Sequence, residues 1–319
     1  MSPLVDVLLP TFKPNRAHLT EALESLLKQE FQDWHAFVHD DFSHGSETAA
    51  IVKPFLSDPR FTFAASNRQL GIGGNWNACI EQTSAPFVAF LFQDDLWSPS
   101  YLSDATSILK QHPTVGFVSM RHEYRSEGDI WNFSLYEVVQ SFKEKNIAAG
   151  VHSGRELLRF WINHELHPNI IGEPSFVVMR RETMRKAGSF LEDMPQFLDT
   201  EFWQRLLLIS DCTVLSTKNY GVFRVHPEGA SAVNQEMGSG LFDRLRCFER
   251  LISALQGDDR KACIRARNRA VSHMVEKFFS RVKSGKKASP KGSSMLVRFC
   301  IRHPVLIGKS VLKYFWLFR

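Results

Sequence analysis

Short apolar runs alternate with helical patterns over the first hundred residues of the chain. Four of these runs have the length and composition of buried strands, at residues 5–9, 34–39, 61–65 and 87–92. Between them, apolar residues recur every three or four positions at 18–28, 47–56 and 73–82, a period typical of helices. Strands that alternate with helices at this spacing predict an α/β fold, with a parallel sheet flanked by helices.

The pattern changes further along the chain. Strand-like runs at 115–120, 175–179 and 222–226 continue the mixed pattern, but from Leu241 onward the period is helical alone. Residues 284–294 are rich in Gly, Lys and Ser, which is typical of a flexible linker. The predicted organisation is a first domain over 1–235 (halves 1–120 and 121–235), a helical extension over 236–283, the basic linker 284–294 and a last segment 295–319.

The 319 residues carry 39 basic and 34 acidic side chains, and the two signs are separated along the chain. Residues 1–241 hold 20 basic and 29 acidic residues, a net charge of −9, whereas 242–319 hold 19 and 5, a net charge of +14. An acidic body with a basic tail indicates an anionic partner for the tail, either a membrane surface or nucleic acid. A solvated helical surface is the alternative interpretation.

Composition excludes several classes of protein. An apolar content of 44% argues against disorder. No apolar run reaches the roughly 18 residues of a transmembrane helix, and the N-terminal residues, with Asp6 and no basic segment, predict no secretory signal. The five cysteines form no Cys-x-x-Cys pair, so we expect neither a disulfide scaffold nor a zinc ribbon. They are typical of ordinary cysteines in a reducing cytosol.

Two acidic pairs follow predicted strands. Asp40 and Asp41 come after the second strand, and Asp94 and Asp95 after the fourth. Ligands of parallel sheets bind at the carboxyl ends of the strands, and four carboxylates there repel each other unless a cation or a hydrogen-bonded ligand is present. Turn formation or helix capping is the alternative role of these residues.

Several short motifs occur in a particular order and spacing. They are VLLPTF at 7–12, ESLLKQEFQDW at 24–34, VHDDFS at 38–43, NRQLG at 67–71, NWN at 75–77, FLFQDDLWSP at 90–99, GEPS at 172–175 and FLDTEFWQRL at 197–206. Together they resemble the inverting glycosyltransferases of family 2, which have the GT-A fold, and the likeness covers residues 4–230. The resemblance implies a GT-A mixed sheet flanked by helices, and it makes 1–235 the catalytic domain.

The resemblance also implies roles for individual residues. Residues expected to bind the nucleotide sugar are Pro10, Thr11, Phe12, Asp41, Asn67, Gly71, Asn77 and Asp94. A Mn²⁺ or Mg²⁺ ion would neutralise the leaving diphosphate. Asp94 is the first candidate for the ligand of this ion and Asp95 the second, and His226 would complete the metal site. An inverting displacement needs a general base but no covalent nucleophile; Asp199 is the candidate, with Glu201 as the alternative.

Two positions depart from the family pattern. The first acid of the D-x-D motif falls at Phe92, which cannot bind a metal ion, so Asp94 and Asp95 must do so. Trp76 stands where many members of the family carry a basic residue that contacts phosphate.

Other function classes fit less well. A nucleotidyltransferase normally has a glycine-rich basic loop after the first strand, where this chain has Pro10, and a dinucleotide oxidoreductase needs G-x-G-x-x-G there, whereas Gly71 and its neighbouring glycines come much later. A homologue that binds sugar nucleotides without turning them over also remains open because of Phe92.

The last segment, 295–319, is apolar but regularly charged. Arg298, Arg302, Lys309 and Lys313 fall within an arc of roughly 60° on a helix, with apolar residues opposite, although Pro304 should kink the helix. This pattern predicts a helix in a membrane interface; docking on the body is the alternative, and nucleic acid is not expected.

The resemblance implies transfer to a saccharide acceptor. Together with the tail it favours a lipid-linked acceptor in cell-surface polysaccharide or lipopolysaccharide assembly, by a cytoplasmic protein peripheral on the inner face of the cell membrane. Residues 121–171 would set specificity there, through aromatic side chains that either stack on sugar rings or pack in the core: Tyr124, Trp131, Tyr136 and Trp161.

Overall fold

A computed structural model describes most of the chain. The described residues are 3–43, 47–128, 133–194, 196–216, 218–227, 229, 240–283, 301 and 304–317. Trp131, the linker 284–294 and the tail residues Arg298 and Arg302 lie outside this part, as does the side chain of Lys313.

Eleven strands are present among these residues, in two sheets. They are β1 (Val5–Thr11), β2 (Trp34–Asp40), β3 (Phe61–Ala65), β4 (Phe87–Phe90), β5 (Leu96–Trp97), β6 (Val115–Met120), β7 (Glu123–Ser126), β8 (Gly150–His152), β9 (Val177–Arg180), β10 (Asp211–Leu215) and β11 (Gly221–Val225). The larger sheet has the order β3-β2-β1-β4-β9-β6-β10-β8, and the smaller one has the order β5-β11-β7. Neighbouring strands of the larger sheet run parallel, except that β9 is antiparallel to both β4 and β6, and β8 to β10.

The helices flank the sheets in the first part of the chain and follow one another at its end. They are α1 (Arg16–Leu27), α2 (Glu47–Val52), α3 (Gly71–Glu81), α4 (Tyr101–Gln111), α5 (Ser134–Asn146), α6 (Gly154–Asn163), α7 (Arg181–Ala187), α8 (Leu198–Ile209), α9 (Gly240–Ala254), α10 (Gly257–Lys283) and α11 (Pro304–Leu317). The predicted mixed α/β fold with a helical C-terminal region is therefore confirmed.

The first strand shows why this sheet forms. All seven residues of β1 are buried, as expected for a central strand covered on both faces. The one charged residue among them, Asp6, accepts hydrogen bonds from the backbone N–H groups of Ser84 and Ala85 at 2.6 and 2.7 Å. These two hydrogen bonds satisfy the buried carboxylate and fix the start of β4 beside β1.

Three predicted elements are shorter than expected. The strand over 87–92 ends at Phe90. The helix over 47–56 ends at Val52 and continues as a 3-10 turn, Lys53–Ser57, because Pro54 has no N–H to donate to the helix. The strand over 175–179 begins only at Val177, since the 3-10 turn Pro174–Phe176 precedes it.

The chain divides into two compact units. The first comprises 1–157, 169–194 and 198–227, and the second comprises 158–168, 195–197 and 228–319. The first unit contains both sheets and the core of the larger one, in which Leu9, Leu23, Val38, Ala89 and Val178 are fully buried.

The second unit is helical. Within it, α9 and α10 pack through residues that include Phe248, Cys263 and Ala266, all with no exposed surface. Arg267 of α10 pairs with Glu249 of α9 at 2.8 Å. Of the helices that the structure describes, none has the length and apolar character needed to cross a bilayer.

Candidate active site

The ends of three neighbouring strands meet at one edge of the larger sheet. Because β2, β1 and β4 are adjacent and parallel, Thr11, the Asp40–Asp41 pair and the segment 92–95 all emerge at the same edge. This is the edge at which sheets of this kind bind ligands.

Asp40 organises the loop after β2. Its carboxylate accepts bonds from the Ser43 N–H and hydroxyl, both at 2.7 Å, from the Thr48 hydroxyl at 2.8 Å and from the Thr11 hydroxyl at 3.2 Å. With four donors and 3% exposure, Asp40 is a structural residue, and it fixes the orientation of Thr11.

Asp41 holds the start of α3. Its two carboxylate oxygens accept the backbone N–H groups of Leu70 and Gly71 at 2.6 and 2.9 Å, which are among the free donors of a helix N-terminus. Each oxygen keeps a second lone pair, so Asp41 is able to accept one more hydrogen bond from a ligand.

Gln93 connects the ends of β1 and β4. Its side-chain oxygen accepts the Phe12 N–H at 2.8 Å, and its side-chain nitrogen donates to the Phe12 carbonyl at 3.2 Å. The phenyl ring of Phe12 is half-buried, whereas Asn67 is exposed and Pro10 is buried within β1.

Asp94 and His226 lie side by side. Asp94 Oδ2 is 2.8 Å from His226 Nε2, and the side chains are 23% and 17% exposed. Asp95 differs, because it has no exposed surface and its Oδ1 accepts the Arg224 N–H at 3.3 Å. Burial, followed by the neighbouring charge of Asp94, raises the pKa of Asp95 well above its usual range.

The residues present can hold a divalent cation only with help from a ligand. Among the described residues, no three His, Cys, Asp or Glu side chains converge on one point. Asp94 and His226 do converge, and a carboxylate with open coordination positions suits Mg²⁺ or Mn²⁺ when phosphate and water complete the shell. The pair therefore fits a metal ion that arrives with a diphosphate.

The two departures from the family pattern touch each other. The rings of Trp76 and Phe92 have centroids 4.8 Å apart, and Trp76 also meets Phe90 and Phe190 at 5.8 and 5.1 Å. Phe190 stacks in turn on Phe202 of α8 at 4.2 Å. An aromatic cluster thus occupies the space between α3 and α8.

Residues of α3 bind the loop that contains Phe190. Asn77 accepts the Phe190 N–H at 2.8 Å and donates to its carbonyl at 3.0 Å. A Cβ at Gly73 would lie 2.7 Å from the Glu192 Cα, so only glycine permits this approach. Asn77, expected to bind the nucleotide sugar, here binds this loop.

Asp199 lies in the first turn of α8 and is oriented by Asn169. The Asn169 Nδ2 donates to Asp199 Oδ2 at 3.0 Å and to the Gly172 carbonyl at 3.1 Å, while its Oδ1 accepts the N–H groups of Ile171 and Gly172 at 3.2 and 3.0 Å. All four bonds of this amide are made. Asn169 therefore shapes the loop 169–172 and positions Asp199 with the same side chain.

The environment of Asp199 suits a general base. Burial raises its pKa to about 6, against the opposing effect of hydrogen bonds from Thr200 and Asn169. A carboxylate with a pKa nearer to neutrality accepts a proton more readily than an ordinary aspartate.

Glu201, the alternative base, is engaged elsewhere. It is 2% exposed, and both its oxygens accept bonds from Arg205 at 2.8 to 3.0 Å. Arg205 also donates to the backbone carbonyls of Ala187 and Ser189. The pair thus fastens α8 to the segment after α7, and Asp199 is left as the better candidate.

Three site residues carry no predicted role: Gln93, Asn169 and Glu173. Glu173 directly follows Gly172, and burial, then the charge of Asp199, raise its pKa to about 8. The motif GEPS at 172–175 was the only sign of Glu173 in the sequence, and nothing local in the sequence marks Asn169 as a partner of Asp199.

The predicted aromatic residues differ in placement: Trp161 is fully buried, whereas Tyr124 and Tyr136 are half-buried.

A comparison of the sequence with models of protein families identifies the family of this chain. The family model described as "Glycosyl transferase family 2" matches residues 6–168, which is more than half of the chain. The chain belongs to glycosyl transferase family 2. The resemblance seen in the sequence motifs is thus confirmed.

Curated relatives of this family 2 chain match it in part. The uncharacterized protein MT1568 of Mycobacterium tuberculosis is 28% identical over 65% of this chain and 63% of its own length. A GalNAc(5)-diNAcBac-PP-undecaprenol beta-1,3-glucosyltransferase of Campylobacter jejuni is 35% identical over 36% of each chain. The Escherichia coli WfgD, a UDP-Glc:alpha-D-GlcNAc-diphosphoundecaprenol beta-1,3-glucosyltransferase, is 24% identical over 40% of this chain and 49% of its own. In each case less than two thirds of the relative is spanned.

Solved structures share the fold. Residues 1–349 of Staphylococcus aureus TarS, in complex with UDP-GlcNAc, give a TM-score of 0.62 at 18% identity, over 87% of this chain and 74% of that one. The mannosyltransferase PcManGT of Pyrobaculum calidifontis, in complex with GDP-Man and Mn²⁺, gives 0.60 at 15% identity, over 99% and 88%.

Proposed function

We propose that this protein transfers a sugar, with inversion, from a nucleoside diphosphate sugar to a hydroxyl group of a lipid-linked saccharide. The first unit is the catalytic one. The acceptor class is that named for the Campylobacter and E. coli relatives, and cell-surface polysaccharide assembly is the corresponding pathway.

One short loop carries the proposal, because it connects the donor side of the site with the base. At one end, Asn169 bonds both Gly172 and Asp199. At the other end, Ser175 Oγ accepts the N–H of Phe92 at 3.0 Å, directly before Gln93 and Asp94. The base and the phosphate-side residues are thereby fixed relative to one rigid segment, as an in-line displacement requires.

The donor half binds the nucleotide. Thr11, Phe12 and Asp41, held in place by Asp40 and Gln93, contact the nucleoside at the ends of β1 and β2. Asp94 and His226 would hold Mn²⁺ or Mg²⁺ together with the diphosphate, and Asp95 supports the backbone of β11 behind them. The ion, when bound, neutralises the negative charge of the leaving nucleoside diphosphate.

The acceptor half activates the nucleophile. Asp199 Oδ accepts the proton of the acceptor hydroxyl. The hydroxyl oxygen attacks the anomeric carbon and the nucleoside diphosphate leaves from the opposite face. The raised pKa of Asp199 makes it a better proton acceptor. The bond from Asn169 keeps the carboxylate in one orientation.

The last helix contacts the membrane surface. Ser310 of α11 is 6% exposed and lies 3.3 Å from the Ser272 hydroxyl of α10, whereas Val305 and Leu312 are 69% and 71% exposed. Lys309 is exposed beside them. An outward side that combines apolar and basic residues suits an anionic bilayer, into which the apolar groups insert.

A donor and acceptor screen tests the proposed chemistry. The protein is incubated with UDP-, GDP- and dTDP-sugars, Mn²⁺ and N-acetylglucosamine diphosphate on a short lipid, and the product is analysed by mass spectrometry and by NMR of the anomeric proton. We expect one donor to be used, with inverted configuration and with loss of turnover on chelation.

The alternatives give other results. Thermal stabilisation by a nucleotide sugar without transfer to any lipid acceptor or to water would indicate a binding protein. Pyrophosphate release from a nucleoside triphosphate and a sugar phosphate would indicate a nucleotidyltransferase.

A further inference from the structure

Glu173 is held in place by the loop that also orients the base. Gly172, with φ of +112°, turns the chain in a conformation that favours glycine, and a Cβ there would lie 3.1 Å from the Lys143 Nζ. The Gly172 carbonyl also accepts the indole N–H of Trp203 at 3.0 Å. The backbone before Glu173 is therefore fixed, and the direction of its side chain follows.

The carboxyl group of Glu173 is poorly compensated. Its described hydrogen-bond partner is the hydroxyl of Tyr124, at the long distance of 3.4 Å. Other carboxylates of the same unit are well paired, as Asp6 with two backbone N–H groups and Glu201 with Arg205 show. A half-buried carboxyl whose one described hydrogen bond is long is incompletely satisfied, and such groups are retained where a ligand supplies the missing bond.

Its surroundings place this carboxyl between the two halves of the site. Glu173 directly follows Gly172, which bonds to Asn169, the residue that also bonds to Asp199. Two residues later, the Ser175 hydroxyl accepts the Phe92 N–H at 3.0 Å, close to Asp94 in the chain. Glu173 thus lies on the short segment that connects the proposed base with the metal side of the site. Because the carboxylate of Asp199 is close by, an anionic ligand would be repelled here, so a neutral polar ligand fits this place.

We propose that Glu173 binds the acceptor sugar by hydrogen-bonding a hydroxyl next to the one that Asp199 deprotonates. Two neighbouring carboxyl groups match two neighbouring hydroxyl groups of a pyranose ring, and Tyr124 borders the same place with its aromatic ring. Glu173 is then the residue that selects the acceptor hydroxyl pattern. This inference rests on the proposed transfer to a saccharide.

The test compares Glu173→Ala and Glu173→Gln with wild type, using N-acetylglucosamine diphosphate on a short lipid and its 3-, 4- and 6-deoxy analogues. We expect Glu173→Ala to raise the acceptor KM about tenfold to a hundredfold, with unchanged affinity for the donor. Glu173→Gln, which keeps the hydrogen-bonding groups, should restore most of the affinity. Glu182→Ala, at an exposed carboxylate of α7, is the matched control and should change none of these.

The deoxy analogues identify the bond itself. One analogue lacks the reacting hydroxyl and gives no product; another should lose about tenfold to a hundredfold in kcat/KM with wild type but less than about threefold with Glu173→Ala. Equal losses in both proteins for every reactive analogue would overturn the inference, as would a weaker donor affinity in Glu173→Ala. If Glu173→Ala does not fold, Tyr124→Phe and Glu173→Gln are compared on the same analogues.

The two levels of proposal fail in different ways. Absence of any transfer by wild type, from every donor and to every lipid acceptor, would overturn the proposed function and this inference with it. Transfer that ignores Glu173 would overturn this inference alone.

Discussion

At the scale of single residues, neighbouring acids of similar sequence context have different tasks. Asp40 receives four donors and Asp41 two backbone N–H groups, whereas Asp199 has a pKa raised to about 6 by burial. Glu201, two residues further on, is neutralised by Arg205. Environment, rather than residue type, therefore separates structural carboxylates from the candidate base.

Replacement of the proposed base, Asp199, should affect turnover and spare donor binding. We expect Asp199→Asn to lower kcat at least about a hundredfold, because general-base assistance is lost, and to change the Kd of the nucleotide sugar by no more than a few-fold. Steady-state kinetics and donor titration measure the two effects. Turnover near that of wild type would assign the base elsewhere.

The pH profile provides a separate check on the same residue. The base acts only when it is unprotonated, and its pKa is about 6, so kcat/KM of wild type should fall as the pH is lowered through about 6. The residual activity of Asp199→Asn should not show this limb. A profile for wild type that is flat between pH 5 and 7 would contradict the assignment.

Glu201→Gln should affect stability instead. Removal of one partner of a buried ion pair leaves Arg205 without its counter-charge and costs about 3 kcal/mol. Urea unfolding measures the loss, and kcat of the folded enzyme should stay within a few-fold of wild type. A large fall in kcat at unchanged stability would favour Glu201 as the base.

At the scale of elements, glycines and one asparagine fix the segments around the site. Gly73 and Asn77 of α3 bring the loop with Phe190 and Glu192 close to the helix. The glycine-rich start of α3 thus serves close packing, while the Gly71 N–H is held by Asp41.

Gly73→Ala tests this packing. The added Cβ would lie 2.7 Å from backbone at Glu192, and backbone cannot move aside cheaply, so we expect a loss of about 1–3 kcal/mol in urea unfolding. Gly308→Ala, at a helical glycine with no atom within 4 Å of the added Cβ, should leave stability unchanged or raise it. Equal effects of the two changes would argue against the close contact.

At the scale of the whole molecule, positive charge is concentrated in the C-terminal part, and the last helix also exposes apolar side chains. Residues 242–319 carry a net charge of +14, and α11 exposes Val305 and Leu312. The two features favour the same kind of partner, an anionic bilayer.

Vesicle sedimentation tests this contact. We expect the full chain to bind vesicles with 30% phosphatidylglycerol and binding to weaken as salt is raised, since exposed charges are screened. Val305→Asp with Leu312→Asp should reduce binding at least about tenfold, because exposed apolar side chains that would insert into the bilayer are replaced by charges that an anionic surface repels. Leu56→Asp, at an exposed leucine of the first unit, is the control; equal binding of both variants would overturn the contact.

Much of the fold could be predicted because it depends on patterns that are local in the sequence. The buried runs that form β1 to β4 and the helical periods between them predict the α/β fold. The order and spacing of all the motifs from 7–12 to 197–206 indicate the family. The split of the helix at 47–56 needed only Pro54, whose effect on a helix is local as well.

The sequence by itself determined the parallel strands β1 to β4, the acidic edge and the separation of charge, because strand periodicity, residue type and order along the chain are enough for these. The antiparallel strands β8 and β9, which make the larger sheet mixed, came only with the tertiary structure. The tertiary structure decided which carboxylate does what. Asn169, thirty residues away in the sequence, orients Asp199. Asp94 contacts His226, although more than a hundred residues separate them. The ring of Phe92 packs against Trp76. Burial, donors and neighbouring charges set the chemistry of a carboxyl group, and all three are supplied by residues that only the folded chain brings together.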